Sequence, residues 1–199
     1  RNIAYTYPNN YIVSLDTKLY TLYVASRCVE RNAMYINCDA NFPLPFKDTI
    51  FSSVMCFDGI HYMYNKLGLL KEIQRVCDNN NYSIVFGSSR NADLEYAQAG
   101  YPLNVQGYAD FIQGHSWRIV SDRHILQCYL QKRGPMLQKQ RNLETLKDEP
   151  LLSIIASNQP ATFTDHGQYE IWPHARGILA INPLYTVTPT DDGKTYILQ

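Results

Sequence analysis

The chain has 199 residues, 45% of them hydrophobic, which is enough for one substantial domain with a buried core. Eighteen basic side chains balance eighteen acidic ones, so no net charge attracts nucleic acid or an anionic membrane, and a small or neutral partner is favoured. No apolar run approaches the roughly 20 residues needed to cross a bilayer. The five cysteines form no CxxC pair, which favours reduced thiols in a cytoplasmic protein over a disulfide framework.

The first half of the chain alternates short β-rich runs with segments whose apolar residues have helical spacing. This rhythm predicts βαβ units, and therefore an α/β fold with a mostly parallel sheet and helices on both faces. The predicted elements are strands at 11–16, 34–38, 50–57 and 82–89, and helices at 17–29 and 66–77.

The pattern loosens beyond Arg90, where Gly, Pro and Tyr are mixed with apolar residues. Residues 92–113 are expected to form a helix-containing cover over the functional site. The C-terminal part is predicted to be β-rich, with a hairpin turn at residues 191–194, Asp-Asp-Gly-Lys. The other predictions are a strand at 115–122, a helix at 123–132, and a solvated helix or connection at 139–150.

Acidic residues follow three of the predicted strands. Asp16 and Asp39 come directly after the first two, and Asp58 follows the third with His61 close behind. Ligands of open α/β sheets bind outside the carboxyl ends of the strands. These four residues are therefore candidates for a binding or catalytic site, although a strand-terminal acid can also simply cap the next turn or helix.

Four motifs, taken in order, resemble the class I S-adenosylmethionine-dependent methyltransferases of the type 11-like group. They are YIVSLD, INCDANFPLPF, IFSSVMCFDGIHYM and LLKEIQRVC, and the resemblance covers about residues 8–90. It implies a Rossmann-like sheet and S-adenosylmethionine as the cofactor. Residues 1–90 would be the cofactor-binding core, and residues 91–199 would supply the rest of the sheet, the cover and the β-rich part of the same domain.

The resemblance also implies roles for individual residues. Asp16 would accept hydrogen bonds from the ribose hydroxyls, and Asp39 would meet the adenine amino group. Asp58 and His61 are the catalytic candidates, although methyl transfer needs mainly alignment, and His61 could instead orient the substrate or simply pack beside Tyr62. The remaining cofactor-binding candidates are Thr17, Lys18, Ala40, Cys56 and Phe57.

One family feature is absent from the sequence. No GxGxG motif occurs, and the family's first strand and glycine-rich loop would precede Arg1. In the family that strand lies between the second and fourth strands, so its absence would leave unpaired edges and an exposed core. We therefore expect residues 1–199 to be less than the whole folding unit, with upstream residues or a partner chain completing the sheet.

The sequence as a whole favours methyl transfer to a small-molecule O, N or C acceptor, without nucleic acid or membrane partners. The alternatives are a non-catalytic, methyltransferase-like interaction or regulatory module and a nucleotide-binding oxidoreductase. No metal site is expected, because the spacing of His115, His166 and His174 matches no common ligand pattern. The aromatic residues Tyr101, Tyr108, Phe111 and Trp117 either cover the acceptor or pack in the core.

Overall fold

The computed structural model describes residues 9–94, 100–168, 185–190 and 193–198. Strands β1 (Val13–Asp16) and β2 (Met34–Asn37) form a parallel pair, in which Asp16 lies opposite Asn37. Helix α1 (Leu19–Cys28) connects these two strands and packs against both. The first predicted βαβ unit is therefore present.

Four further strands form a separate sheet. Strands β3 (Ser53–Phe57), β4 (Ser83–Arg90), β5 (Ser116–Ser121) and β6 (Leu151–Ser157) lie in the order β3-β4-β6-β5. Strands β3 and β4 are parallel, whereas β6 is antiparallel to both β4 and β5. Strands β3, β4 and β5 consequently run in one direction, and the predicted α/β fold with a mostly parallel sheet is confirmed.

Three helices accompany the four-stranded sheet, and each begins at a side chain that caps it. These are α2 (Lys66–Val76), α3 (Val105–Phe111) and α4 (Asp122–Leu130). The capping oxygens belong to Asn65, Asn104 and Ser121, which accept hydrogen bonds from Gly68 N, Gly107 N and His124 N. Short 3₁₀ turns lie at Ile60–Tyr62, Leu143–Leu146 and Pro160–Phe163.

The main hydrophobic core lies between this sheet and its helices. Strands β4 and β6 run through its centre, and their inward side chains are almost completely buried. Helix α2 contributes an apolar face, of which Leu70, Ile73 and Val76 were predicted. The predicted Leu67, in contrast, is exposed, and Leu69 is buried instead. Helix α3 contributes a second apolar face. The most deeply buried core residues include Ile73, Ile84, Phe86, Tyr108, Ile119 and Ile154.

Some predicted boundaries were wrong for identifiable reasons. The strand predicted from Ile50 begins at Ser53, because the amides of Thr49, Ile50 and Phe51 bond to carbonyls at the end of α2 instead of a strand. The charged segment at 139–150 contains a short 3₁₀ turn whose Leu146 is buried. Strands β7 (Tyr185–Thr190) and β8 (Gly193–Leu198) pair antiparallel, as the predicted hairpin requires, but Gly193 and Lys194 of the predicted turn already belong to β8.

None of the helices in the described part of the chain is both long and apolar enough to cross a membrane.

Strand β4 contains a bulge: Phe86 lies opposite Ile154, but Ser89 lies opposite Leu152, so β4 has one residue more than β6 in this stretch. Ser88, inside the bulge, has a φ of +52°. Such bulges bend a strand and re-aim the side chains that follow.

Asn91, directly after β4, forms side-chain hydrogen bonds to the connection that precedes β6. Its side chain is completely buried, and Nδ2 donates to the carbonyls of Leu146, Lys147 and Glu149. Its Oδ1 accepts a hydrogen bond from Asp93 N. A buried amide in this position satisfies several main-chain acceptors at once.

We expect Asn91→Asp to lower the free energy of unfolding by about 3 kcal/mol, because a buried carboxylate would face carbonyl oxygens and could donate to none of them. Urea denaturation measures the change. Asn158→Asp is the matched control, since the exposed Asn158 Nδ2 donates to a single carbonyl, that of Asn79. Equal losses in the two variants would show that the Asn91 contacts contribute little.

Candidate functional site

The acids predicted to bind the cofactor lie at the carboxyl ends of the paired strands: Asp16 is the last residue of β1, and Asp39 follows β2. Asp16 Oδ1 accepts from Lys18 N at 2.7 Å, and Asp39 Oδ1 accepts from the main-chain and side-chain nitrogens of Asn41, both at 2.9 Å. Parallel strands end at one edge, so both carboxylates belong to the same end of this sheet. A carboxylate has about four lone-pair positions, so each can still accept bonds from hydroxyl or amino donors.

The neighbouring candidates have simpler environments. Thr17 and Lys18 are exposed, and Lys18 occupies the N-cap position of α1 without a side-chain cap. Ala40 is half-buried and packs against the main core. Because Ala40 contacts that core, the loop after β2 connects the two-stranded sheet to the larger one.

Asn41 joins the end of β2 to the segment that follows His61. Its Oδ1 accepts from Tyr64 N at 3.0 Å and from Asn65 N at 3.3 Å, while its Nδ2 donates to Asp39. One side chain therefore connects Asp39 with the loop after β3. Sequence reasoning missed Asn41, although an Asn two residues after a strand-terminal Asp is a recognisable turn signal.

Cys56 and Phe57 end β3. Burial raises the pKa of Cys56 to about 11, so this thiol is neutral at physiological pH and is not an activated nucleophile. The Phe57 side chain is 63% exposed, and its ring lies directly over Gly87, where a Cβ atom would come within 2.3 Å of it. Gly87 thus leaves room for an aromatic surface at this edge.

Asp58 has an unusual backbone conformation. Its φ is +51°, and its N–H donates to Gly87 O at 2.9 Å. Asp tolerates the left-handed region better than most residues, yet such a conformation is uncommon outside glycine and is frequent at functional sites. Its side chain is 67% exposed, so the carboxylate faces the edge of the sheet where a ligand can reach it.

His61 lies behind Asp58 and is completely buried. Its Nε2 is 3.5 Å from Asp58 Oδ1, and neither ring nitrogen has a hydrogen-bond partner among the described residues. The ring packs against Tyr62, with 4.3 Å between centroids. Burial, followed by the positive charges of Arg90 and Lys66, lowers the pKa of His61, and Asp58 only partly opposes them. The imidazole is therefore neutral at physiological pH.

Two cations near His61 were missed by sequence reasoning. Arg90 Nη2 donates to Tyr62 Oη at 3.1 Å, and its guanidinium lies 5.5 Å from the centre of the Tyr62 ring. The buried Lys66 ammonium donates to the carbonyls of Met63 and Tyr101. Arg90 directly follows the strand predicted at 82–89, which is the same signal that identified the acids as site candidates. Nothing in the sequence indicated the contact between Lys66 and Tyr101.

Other sequence candidates lie elsewhere. In the described ranges no group of three His, Cys, Asp or Glu residues is placed to hold a metal ion. His115 bonds to Gln74 and Tyr82, His166 Nε2 lies 3.1 Å from Thr162 O, and His174 is outside the described residues. Of the aromatic candidates, Tyr108 and Phe111 belong to the core, Trp117 packs against it, and Tyr101 lies beside the site.

Comparison with known proteins shows a similarity over the first part of the chain. Residues 2–85 match the sequence model of a family described as a methyltransferase domain. No curated protein sequence matches the chain. The match ends within β4, so it covers the segments that carry every predicted site residue.

Several solved structures have a similar fold. One is an S-adenosylmethionine-dependent methyltransferase from Aquifex aeolicus (12% identity, 74% of this chain and 68% of that one, TM-score 0.50). Another is the O-methyltransferase of a Brevibacillus brevis trans-AT polyketide synthase multienzyme, in complex with S-adenosyl-L-homocysteine (12%, 82% and 63%, TM-score 0.52). A third is a coclaurine N-methyltransferase bound to N-methylheliamine and S-adenosyl-L-homocysteine (11%, 78% and 63%, TM-score 0.52).

These findings confirm the predicted resemblance to class I S-adenosylmethionine-dependent methyltransferases. At these identities the solved structures establish the fold and say nothing about the acceptor. The roles of the individual site residues remain predictions.

We expect an NMR titration of the His61 imidazole, assigned by comparison with His61→Gln, to give a pKa below the ordinary 6.5, because burial and two nearby cations disfavour its protonation. The unfolded chain would then bind this proton more readily than the folded protein. Stability from this group is therefore complete above pH 6.5 and is lost as the pH falls from there towards the folded pKa. A titration midpoint at or above 6.5 would contradict the described environment.

Proposed function

We propose that this chain, in which residues 2–85 match the model of a methyltransferase domain, transfers a methyl group from S-adenosylmethionine to a small-molecule O, N or C acceptor. The observation that supports this most is the connection through Asn41. It joins Asp39, at the end of β2, to the segment following Asp58 and His61. A pair of acids suited to a nucleoside is thereby held near a second group suited to orienting a nucleophile.

The cofactor of the proposed reaction is S-adenosylmethionine, and the residues present fit it. Asp16 would accept from the ribose hydroxyls and Asp39 from the adenine amino group, since both are carboxylates with remaining acceptor capacity. Neutral Cys56 and the exposed Phe57 ring would border the methionine part with apolar surface. Thr17, Lys18 and Ala40 would lie beside the adenine.

When bound, S-adenosylmethionine supplies an electrophilic methyl group on a sulfonium sulfur. The chain's own contribution is chiefly alignment, because in-line displacement depends on the relative positions of nucleophile, methyl carbon and leaving sulfur. The exposed Asp58 carboxylate would accept a hydrogen bond from the acceptor's O–H or N–H and so aim its lone pair. It would also receive the released proton or pass it to water.

Neutral His61 would support Asp58 from behind. With Nε2 protonated, it can donate to Asp58 Oδ1 once their separation of 3.5 Å shortens, as such contacts commonly do when a substrate binds. In this scheme Asp58 contacts the acceptor and His61 positions Asp58. The complete burial of His61 supports this division of roles over one in which the imidazole itself removes the proton.

The exposed aromatic side chains favour an organic acceptor. Phe57, Tyr62 and Tyr101 are 63%, 44% and 61% exposed around the Asp58–His61 pair. The equal numbers of basic and acidic residues give no positive field for RNA or DNA. Hydrophobic and aromatic side chains around a few polar groups are typical of small-molecule sites.

We expect isothermal calorimetry with S-adenosylhomocysteine to detect binding, and Asp16→Ala to weaken it at least about tenfold, because two hydrogen bonds to the ribose would be lost. Asp78→Ala is a matched control: Asp78 Oδ1 accepts from the amide two residues on, as Asp16 does, but it follows helix α2. Equal affinities in both variants would contradict the assigned cofactor site, and absence of binding to the unaltered protein would favour the interaction-module alternative. Transfer of labelled methyl to metabolite pools would then identify the acceptor.

The unpaired edges of β1 and β3 support a second part of the proposal. Among the described strands, β1 pairs only with β2, and β3 pairs only with β4. Met55 and Phe57 of β3 and Tyr20 and Tyr23 of α1 are exposed apolar residues, between 44% and 78% accessible. Exposed edges and apolar faces of this kind are usually covered in native proteins. In the functional protein, a further strand from upstream residues or from a partner chain would pair with β1 and β3.

We expect hydrogen–deuterium exchange of the functional protein to show stronger protection of β3 amides than of β5 amides, because a second neighbour would bond the outward-facing half of β3. Strand β5 is the internal reference, since in the described part of the chain it also pairs on one side only. Equal exchange of β3 and β5 would mean that no strand covers the β3 edge.

A further inference from the structure

Lys66 is a buried, charged residue to which the proposed mechanism assigns no role. It begins helix α2 and is 7% exposed. Its ammonium donates to Met63 O and Tyr101 O, both at 2.5 Å. No carboxylate of the described residues forms an ion pair with it. An apolar side chain would fill this position at less cost, since a buried charge without a counter-ion is expensive.

The two hydrogen bonds of the ammonium hold together segments that are far apart in the sequence. Tyr101 is fixed at both ends of its main chain: its C=O accepts from Lys66, and its N–H donates to His61 O at 2.5 Å. Gly100, with a φ of +92°, lies so close that a Cβ atom there would be 2.4 Å from His61 O. The backbone at 100–101 therefore rests directly on the His61 main chain.

We infer that Lys66 is a positioning residue of the methyl-transfer site: its ammonium clamps Gly100–Tyr101 onto the His61 backbone and so holds the buried imidazole beside Asp58. This inference rests on the proposed function for its catalytic meaning, whereas the clamp itself rests on the contacts above. Lys66 touches neither Asp58 nor the proposed acceptor position through any described contact. Its effect passes through Tyr101 and His61.

The charge of Lys66 complements its mechanical role. The charged and titratable groups around His61 are Asp58, Arg90, Lys66 and the stacked Tyr62. Both cations lower the pKa of His61 and keep the imidazole neutral. A protonated His61 would form an ion pair with Asp58 and compete with the acceptor for its oxygens. A neutral one donates a single hydrogen bond and leaves the other oxygen available.

Lys66→Met tests the inference, because it keeps the length of the side chain and removes the ammonium. We expect kcat for methyl transfer to fall about tenfold, the dissociation constant of S-adenosylhomocysteine to change less than twofold, and the His61 titration to move to higher pH. Lys71→Met, on the same helix but exposed, is the control and should change none of these. Gly100→Ala, which keeps the charge and forces the clamp apart, should also lower kcat.

Indistinguishable kcat values and His61 titrations for Lys66→Met and Lys71→Met would overturn the inference. If Lys66→Met does not fold, Gly100→Ala decides, and unchanged kcat in that variant would be equally contradictory. Failure of the proposed function is recognised separately, as absence of cofactor binding and transfer in the unaltered protein. The His61 titration can still be measured in that case, and because Gly100→Ala keeps the ammonium, a shift of the His61 titration in Gly100→Ala reports on the clamp separately from the charge.

Discussion

The hydrogen bond between Asp58 N and Gly87 O is the interaction on which the site depends. It extends the parallel β3–β4 pairing one residue beyond Phe57, at the point where the Asp58 backbone turns into the left-handed region. That turn presents the Asp58 carboxylate to solvent and directs the chain into the 3₁₀ turn that contains His61. A side chain at position 87 would displace the Phe57 ring, which lies against this glycine. The β3–β4 pairing, the position of the Phe57 ring and the position of the Asp58 carboxylate therefore all depend on contacts with Gly87.

The sequence predicted the features that are set by local patterns. Alternation of β-rich runs and helical spacing identified the elements, and the rule that ligands bind at strand ends selected Asp16, Asp39 and Asp58. Helical spacing also identified α2, whose apolar face is determined by side chains three and four residues apart. Each of these signals is contained within a window of about a dozen consecutive residues, so it can be read from the sequence directly.

The features that were missed depend on contacts between distant segments. Lys66 meets Tyr101 across 35 positions, and Arg90 meets Tyr62 across 28. Neither pair has a local signature, because each residue alone is an ordinary surface cation or aromatic. The true start of β3 was missed for a similar reason: residues 49–51 bond to the end of α2, which competes with strand formation. His61 was expected beside Asp58, but neither its complete burial nor the contact of its carbonyl with Gly100–Tyr101 was predicted.

The bulge in β4 determines which side chain reaches the site. Before it, even-numbered residues such as Ile84 and Phe86 face the core; after it, the buried positions are Gly87 and Ser89. The extra residue therefore reverses the parity of the strand. Arg90 would continue the core-facing row without it, and because of it the guanidinium emerges beside Tyr62. Deleting one residue between Phe86 and Ser89 would give a regular strand in which Ser89 still faces the core and Arg90 still emerges, whereas pairing the full-length strand without a bulge would turn Arg90 inward. The bulge, and not the length of the strand, therefore determines the charge around His61.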